Sequence, residues 1–252
     1  MFFIEIPDSV TSIGSFAFEN CSKLTSIEIP NSVTSIGNDA FKNCDNLTSI
    51  TVLENNTAYK SIDGNLYTKD GKTLIQHAIG KEATSFTIPE GVEKIGGYAF
   101  YNCGNLTSIE IPGSVTNIGY VAFGNCANLE TIKIGKNVQW INETVFYDCE
   151  SVKNLYYAGT INNWAQFEFY DEAWNRIYSP LQYVENFYVQ GVLVTEITIT
   201  AETIGRGVFS GYDKLTSHRA LIPFSASTCL FLPNFAHFRS IFQDLLSKSP
   251  QN

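Results

Sequence analysis

The sequence predicts an α/β solenoid: a curved stack of short parallel strands joined by short helical or 3-10 turns, with 23 residues in each coil. Three observations carry that expectation. First, Cys21, Cys44, Cys103, Cys126 and Cys149 stand at spacings of 23, 59, 23 and 23, and Phe18, Phe41, Phe100, Phe123 and Phe146 keep the same register. Second, Ile13, Ile36, Ile95, Ile118 and Ile141 form a third column, and Val10, Val33, Val92, Val115 and Val138 a fourth. Several columns sharing one period over most of a chain are the signature of a stacked repeat. Third, the chain is 44% hydrophobic and 16% charged, enough apolar material for an ordered protein.

The unit Leu24–Asn46, LTSIEIPNSVTSIGNDAFKNCDN, shows how each piece arises. In LTSIEIP, Ile27 and Ile29 alternate as in a short strand. Pro30 ends that strand because it has no N–H for a ladder. NSVTSIG is expected to turn and give a second extended piece. Gly37 suits either positive φ or close backbone approach. NDAFKNC is expected to be one helical or 3-10 turn, capped by Asn38 or Asp39, with Phe41 inward. One unit alone cannot bury Leu24, Ile27, Ile29, Val33, Ile36, Phe41 and Cys44, but stacked units make one continuous core.

The recipe breaks in three places. The first is Leu53–Glu82, where the strands NLYT and KTLIQ around Lys69-Asp70-Gly71 read as a hairpin. This is expected to be a decorated repeat within the solenoid. The second is Tyr156–Gln190, densely aromatic and including Trp164 and Trp174. After it the repeat returns, with IGRGVF standing for IGNDAF and Tyr212 in the cysteine column. The third is the segment 216–252, where no repeat column survives. Phe235, Phe238, Ile241, Phe242, Leu245 and Leu246 lie there at helical spacing, with Asn234 as N-cap. Two readings stay open: a helical cap on the solenoid, or accidental sequence such as a shifted reading frame. The solenoid is thus expected over 1–215. Since Met1 enters the repeat at the position of Leu24, the N-terminus is expected to be a cut through a longer array, with any export signal upstream.

The formal net charge is −9, and the acidity sits in the repeat, since Asp244 is the one acid after Leu215 against Arg219, Arg239 and Lys248. An acidic body argues against binding phosphate backbones or anionic lipid, and no apolar run is long enough to span a membrane. Candidate chemistry is sparse. The cysteine column has no C-x2-C spacing or partnering histidine for a metal. Its parallel Cβ vectors suit disulfides poorly. It is expected to be a column of buried thiols, with Cys229 outside it. His77, His218 and His237 have no nucleophile motif around them. Pairs such as Asp171-Glu172 read as solvated surface. Neither enzyme activity nor a cofactor is expected.

The strand faces say more. The outward position of Glu28 is filled in turn by Glu5, Glu28, Thr51, Thr87, Glu110, Lys133 and Tyr156. The face is bland at first, then basic and aromatic. The candidate binding residues are therefore Lys133, Tyr156 and Tyr157 at the strand ends, with Trp164 and Trp174 of the aromatic segment. Tyr and Trp carry large contact area and a polar handle, suited to protein hot spots or sugar stacking. The competing reading is that these aromatics pack the insert against the solenoid.

The pattern L-x-x-I-x-I-P-x-x-V-x-x-I-G-x-x-A-F-x-x-C, clearest in Leu24–Asn46 and Leu106–Asn128, resembles the leucine-rich repeat of the BspA type. It decays in Leu129–Ser151, where Gly135 replaces the proline and Asn142 the glycine. The resemblance implies a secreted or cell-surface location and adhesion. The expected function is non-catalytic recognition of a protein or extracellular-matrix partner, with a glycan possible as ligand, by a monomer. The alternative is a carbohydrate-binding module or the non-catalytic arm of a larger surface enzyme, for which an exposed Trp164 or Trp174 would be the support.

Overall fold

In the computed structural model the described residues are 2–142, 144–171, 176–177, 179–201 and 203–220. They build a solenoid whose first coils contribute β1 (Phe2–Ile4), β2 (Ser12–Ile13), β3 (Leu24–Ile29) and β4 (Ser35–Ile36). The next coil holds β5 (Ser49–Val52) and the inserted strands β6 (Tyr59–Ile62), β7 (Asn65–Thr68) and β8 (Thr73–Gln76). Three regular coils follow, with β9 (Ser85–Thr87), β10 (Lys94–Ile95), β11 (Ser108–Ile111), β12 (Asn117–Ile118), β13 (Thr131–Ile134) and β14 (Trp140–Ile141). Beyond them lie β15 (Asn154–Tyr157), helix α1 (Ile161–Trp164), β16 (Tyr170–Asp171), β17 (Arg176–Ile177) and a 3-10 turn at Pro180–Gln182. The described chain ends with β18 (Asn186–Val189), β19 (Val192–Leu193), β20 (Glu196–Ile199) and β21 (Ser217–Ala220).

Parallel pairing at the repeat period joins the coils. Ser108 lies opposite Thr131 and Glu110 opposite Lys133 between β11 and β13. The first sheet has the order β1-β3-β5, and its continuation the order β19-β18-β15-β13-β11-β9. A second side of the solenoid carries β2-β4 and then β14-β12-β10-β8-β7-β6. The alternation expected of LTSIEIP is seen in β3, where Leu24, Ile27 and Ile29 are buried and Glu28 is exposed. Gly37 is required for close approach: a Cβ there would stand 2.3 Å from the Ser15 backbone nitrogen of the preceding coil.

The third side differs from the helical turn expected of NDAFKNC. It consists of consecutive hydrogen-bonded turns, Lys42 N–H to Asp39 O and Cys44 N–H to Phe41 O. Asp39 and Asn43 are left-handed, with φ of 59° and 58°, and a helix cannot pass through them. The residue before each cysteine of the column, Asn20, Asn43, Asn102, Asn125 or Asp148, is left-handed every time. Asn and Asp are the side chains that tolerate this region best. The freed amides bond from coil to coil, as in Phe18 N–H to Ala40 O and Phe100 N–H to Ala122 O. The cysteines close the same seam: the thiols of Cys44, Cys126 and Cys149 donate to the carbonyls of Phe18, Phe100 and Phe123.

The first insertion is folded into the stack. The predicted hairpin is present, with β7 antiparallel to β8. A second, tighter hairpin precedes it, in which Ile62 faces Asn65 across Asp63-Gly64. Both turn residues have positive φ, 49° and 71°, the geometry of a two-residue type I′ turn. Strand β7 is buried on both faces, with Leu66 and Tyr67 each 0% exposed. Leu66 belongs to a core running from Ile13 to Ile50, whereas Tyr67 belongs to the larger core that continues to Tyr212. The hairpin thus partitions the apolar interior. Asn56 anchors it: its amide donates to Pro30 O and Val33 O and accepts from Ala58 and Tyr59 N–H. His77 then takes the place of the missing phenylalanine, its backbone N–H donating to Ala99 O and its ring stacking 4.8 Å from that of Phe100.

At the other end, β20 pairs parallel with β21, placing Ser217–Ala220 in a strand slot just past the expected repeat boundary. The helix expected over 235–246 and Cys229 lie outside the described residues. No described helix is long and apolar enough to cross a membrane.

Candidate functional site

The outer face of the larger first-side sheet changes character along the stack. Its outward ladder runs Thr87, Glu110, Lys133, Tyr156, Tyr188, each directly opposite the next. The Lys133 ammonium lies 3.4 Å from Glu110 Oε2 with both side chains about half exposed, a pair worth at most about 1 kcal/mol. Tyr156 and Tyr188 stack with ring centroids 4.5 Å apart and planes 7° from parallel. Beside them the parallel ladder Ser108, Thr131, Asn154, Asn186 carries amides: Asn186 donates to Asn154, and Lys214 donates to Asn186 at 2.6 Å. Across β18, Leu193 lies opposite Tyr188 and is 38% exposed, and its neighbour Val192 is 69% exposed. Two stacked rings with an exposed aliphatic edge, bordered by lysines and amides, give an apolar contact with a polar rim. That is the anatomy of an interface core.

Of the residues expected to bind, Lys133 and Tyr156 stand on this face. Tyr157 and Trp164 do not, and the expectation is corrected for both. Strand alternation sends Tyr157 to the opposite side from Tyr156, where it is 1% exposed. Its ring lies 5.4 Å from that of Trp164. Trp164, fully buried at the end of α1, packs on Phe167, Phe169 and Phe187 and donates its indole N–H to Val208 O. A reciprocal capping box between Thr160 and Asn163 starts that short helix and so aims Trp164 inward. These aromatics pack the segment against the solenoid, and Trp164 offers no ring face to a sugar. Trp174 lies outside the described residues. Tyr188 had not been expected on this face. Its signal was the match of Asn154-Leu-Tyr-Tyr with Asn186-Phe-Tyr-Val, hidden because the spacing leaves the 23-residue period.

Little else in the described chain has reactive geometry. Cys21, Cys44, Cys103, Cys126 and Cys149 are reduced, and all but Cys21 are buried. Burial pushes the Cys44 thiol up to about 12, and Cys126 is raised by the same cause, so both stay protonated and unreactive. Burial holds His77 down at about 3, with Lys81 adding to the effect, so its imidazole is neutral. Among the described residues no cluster of His, Cys, Asp or Glu could hold a metal ion.

The chain matches the family described as BspA type leucine rich repeat region, in six copies over residues 2–72 and 79–188. No curated protein matches it. Among solved structures it is similar to a leucine-rich repeat protein from Eubacterium ventriosum, with 26% identity and a TM-score of 0.61 over 86% of this chain and 54% of that one. It is also similar to a leucine rich cell surface protein from Faecalibacterium prausnitzii, with 26% identity and a TM-score of 0.51 over 88% of this chain and 53% of that one. The pneumococcal vaccine antigen PcpA shares the fold at 21% identity and a TM-score of 0.58, over 77% of this chain and 49% of that one. The chain therefore spans about half the length of these proteins. With the repeat columns, the coil-to-coil pairing and the family match in agreement, the chain belongs to the BspA type leucine-rich repeat family.

Proposed function

We propose that this chain is a non-catalytic recognition segment of a secreted or cell-surface protein, and that it binds a protein or extracellular-matrix partner through the outer face around Tyr156 and Tyr188. The observation that carries the reading is the stacked tyrosine pair with Leu193 beside it, on a face whose other outward residues are polar or charged. A rigid ring pair loses little side-chain entropy on binding, and truncating such anchors costs more than truncating their rim. On the rim, Lys133 and the neighbouring Lys153 are paired with Glu110 and Glu130, so their charge adds little affinity. The description of one similar structure as a cell surface protein supports the location. The test is surface binding of purified extracellular-matrix proteins to the wild type and to the double variant Tyr156→Ala/Tyr188→Ala. A partner held by the wild type and weakened at least tenfold by the double variant is expected. No captured protein, or one held equally by both forms, would sink the assignment.

A further inference from the structure

On the third side of the solenoid, aromatic side chains gather at the surface around one cation. The column two residues before the phenylalanines holds Phe16, Asp39, Tyr98 and Val121, all left-handed, with φ of 60°, 59°, 56° and 47°. Asp tolerates that region, whereas bulky and β-branched side chains are strained in it. Val121 is 5% exposed, so burial offsets its strain, but Phe16 is 49% exposed and gains little from the interior. A strained backbone that carries a ring to the surface is the kind of outlier that clusters at functional sites.

The rings form a continuous row. The Lys42 ammonium lies 5.9 Å from the ring centroid of Phe16, 5.2 Å from that of Tyr98 and 5.3 Å from that of Tyr101. Tyr98 meets Tyr101 and Tyr120 edge-on, each at 5.4 Å between centroids, and Tyr120 is 44% exposed. Lys42 reaches the tyrosines across the end of the first insertion, where His77, Ala78 and Ile79 are buried. Asn102 donates to Asp45 Oδ1 across the same place at 2.9 Å. Acids outnumber the lysine. Glu19 Oε1 stands 3.7 Å from Lys42 Nζ, and Asp39 has a buried Oδ1 with no hydrogen-bond donor. Burial raises the Asp39 carboxyl above its ordinary value, while the nearby Lys42 opposes the shift. Burial also raises the Tyr98 phenol, with Tyr120 and Asp39 adding to the effect.

We propose that this row docks an arginine-bearing peptide segment of a partner protein, its guanidinium groups packing on the exposed rings Phe16 and Tyr120. Lys42 demonstrates that these rings accept a cation, since it lies within the range of about 6 Å at which ring and charge attract. Arginine suits the outer rings better than lysine, because its planar, weakly hydrated guanidinium stacks on an aromatic face. Glu19 and Asp39 complement its charge, and the net charge of −9 draws basic segments toward the chain. An acidic segment would meet two carboxyl groups for one ammonium that the rings already hold. None of these residues belongs to the Tyr156–Tyr188 ladder, so the surface is additional to that face.

The experiment is calorimetric titration of the full chain with hexa-arginine, hexa-lysine and hexa-glutamate peptides at physiological salt. Hexa-arginine is expected to bind at least about threefold more tightly than hexa-lysine of the same charge, and hexa-glutamate not to bind. Phe16→Ala/Tyr120→Ala removes no charge and should weaken hexa-arginine about tenfold while erasing its advantage over hexa-lysine. Both rings are about half exposed, so an unchanged melting temperature shows that this variant is folded. Glu19→Gln is the second variant: it keeps the rings and should weaken both basic peptides. Tyr156→Ala/Tyr188→Ala should leave the affinities unchanged. Failure of hexa-arginine to bind, equal binding of the two basic peptides, affinity indifferent to Phe16→Ala/Tyr120→Ala or to Glu19→Gln, or affinity lost in Tyr156→Ala/Tyr188→Ala would overturn the proposal.

Discussion

The two insertions interrupt the same repeat and are accommodated in opposite ways. Leu53–Glu82 keeps its local rules: alternating strands, Asp-Gly turns, and a return to the coil through β8, which pairs parallel with β10 and sets Leu74 opposite Ile95. Its strand β7 presents Leu66 to one core and Tyr67 to the other. Tyr156–Gln190 keeps almost none of those rules. It has a four-residue helix, a short antiparallel pair and a 3-10 turn, and it is held by Trp164, Phe167, Phe169 and Leu181 dropping into the solenoid end. The first insertion extends the ladder, and hydrogen bonds set its position. In the second, β18 rejoins the ladder beside β15, but the stretch between them is placed by aromatic packing, and only the residues left over face solvent.

That contrast can be broken experimentally. The largest effect is expected at Trp164→Ala, which removes the ring around which Tyr157, Phe167, Phe169 and Phe187 gather. Emptying that space should cost about 3–5 kcal/mol in denaturant unfolding. A cost below about 1 kcal/mol would mean that the segment is not anchored by its aromatics.

Leu66→Ala comes next, at about 2–4 kcal/mol, because it opens a cavity beside a strand fixed on both sides by hydrogen bonds. Its damage should be confined to the smaller core, so hydrogen exchange should quicken at Ile27 and Ile50 more than at Ile109 and Ile132. Uniform quickening would show that β7 does not partition the interior.

The pH dependence of stability tests the place of His77. Its folded value, about 3, lies below the ordinary 6.5. Between those values the unfolded chain binds a proton that the folded chain does not, so stability falls as pH falls below about 6.5. For one proton the slope is about 1.4 kcal/mol per pH unit. His77→Phe restores the column residue, removes the titrating group and should flatten that slope. An unchanged slope would place the effect elsewhere.

A smaller loss is expected at Gly64→Ala, about 1–2 kcal/mol, because φ is +71° and the new Cβ would come within 3.1 Å of Ser49 Oγ. The smallest is Lys133→Ala, within about 1 kcal/mol of wild type, since its ion pair with Glu110 is exposed.

The first insertion was largely legible because its signals are local. The hairpin of NLYT and KTLIQ could be read from alternation and an Asp-Gly pair. Asp63-Gly64 offered the same signal a few residues earlier, and that turn proved the tighter of the two. In the second insertion Tyr156 could be placed outward by continuing the column from Glu110 and Lys133. Tyr157 and Trp164 could not be placed, because an aromatic residue in an aperiodic stretch suits a core and a surface equally.

By itself, the sequence determined the coil. Period, apolar columns, the proline that ends strands such as β3 and β11 and the Asn or Asp before each cysteine of the column are set by near-neighbour sterics and by the need of each coil to bury its apolar set. It also determined that stacking would follow, since an unstacked coil leaves its apolar columns in water. Tertiary structure decided what the period cannot encode. It chose close approach as the reason for Gly37, turned the anticipated helical turn into a hydrogen-bonded ladder, divided the core at β7, and sorted the tyrosines and tryptophans into inside and outside. Those outcomes depend on which neighbour reaches a side chain first across 20 or more residues, and local propensity does not record such contacts.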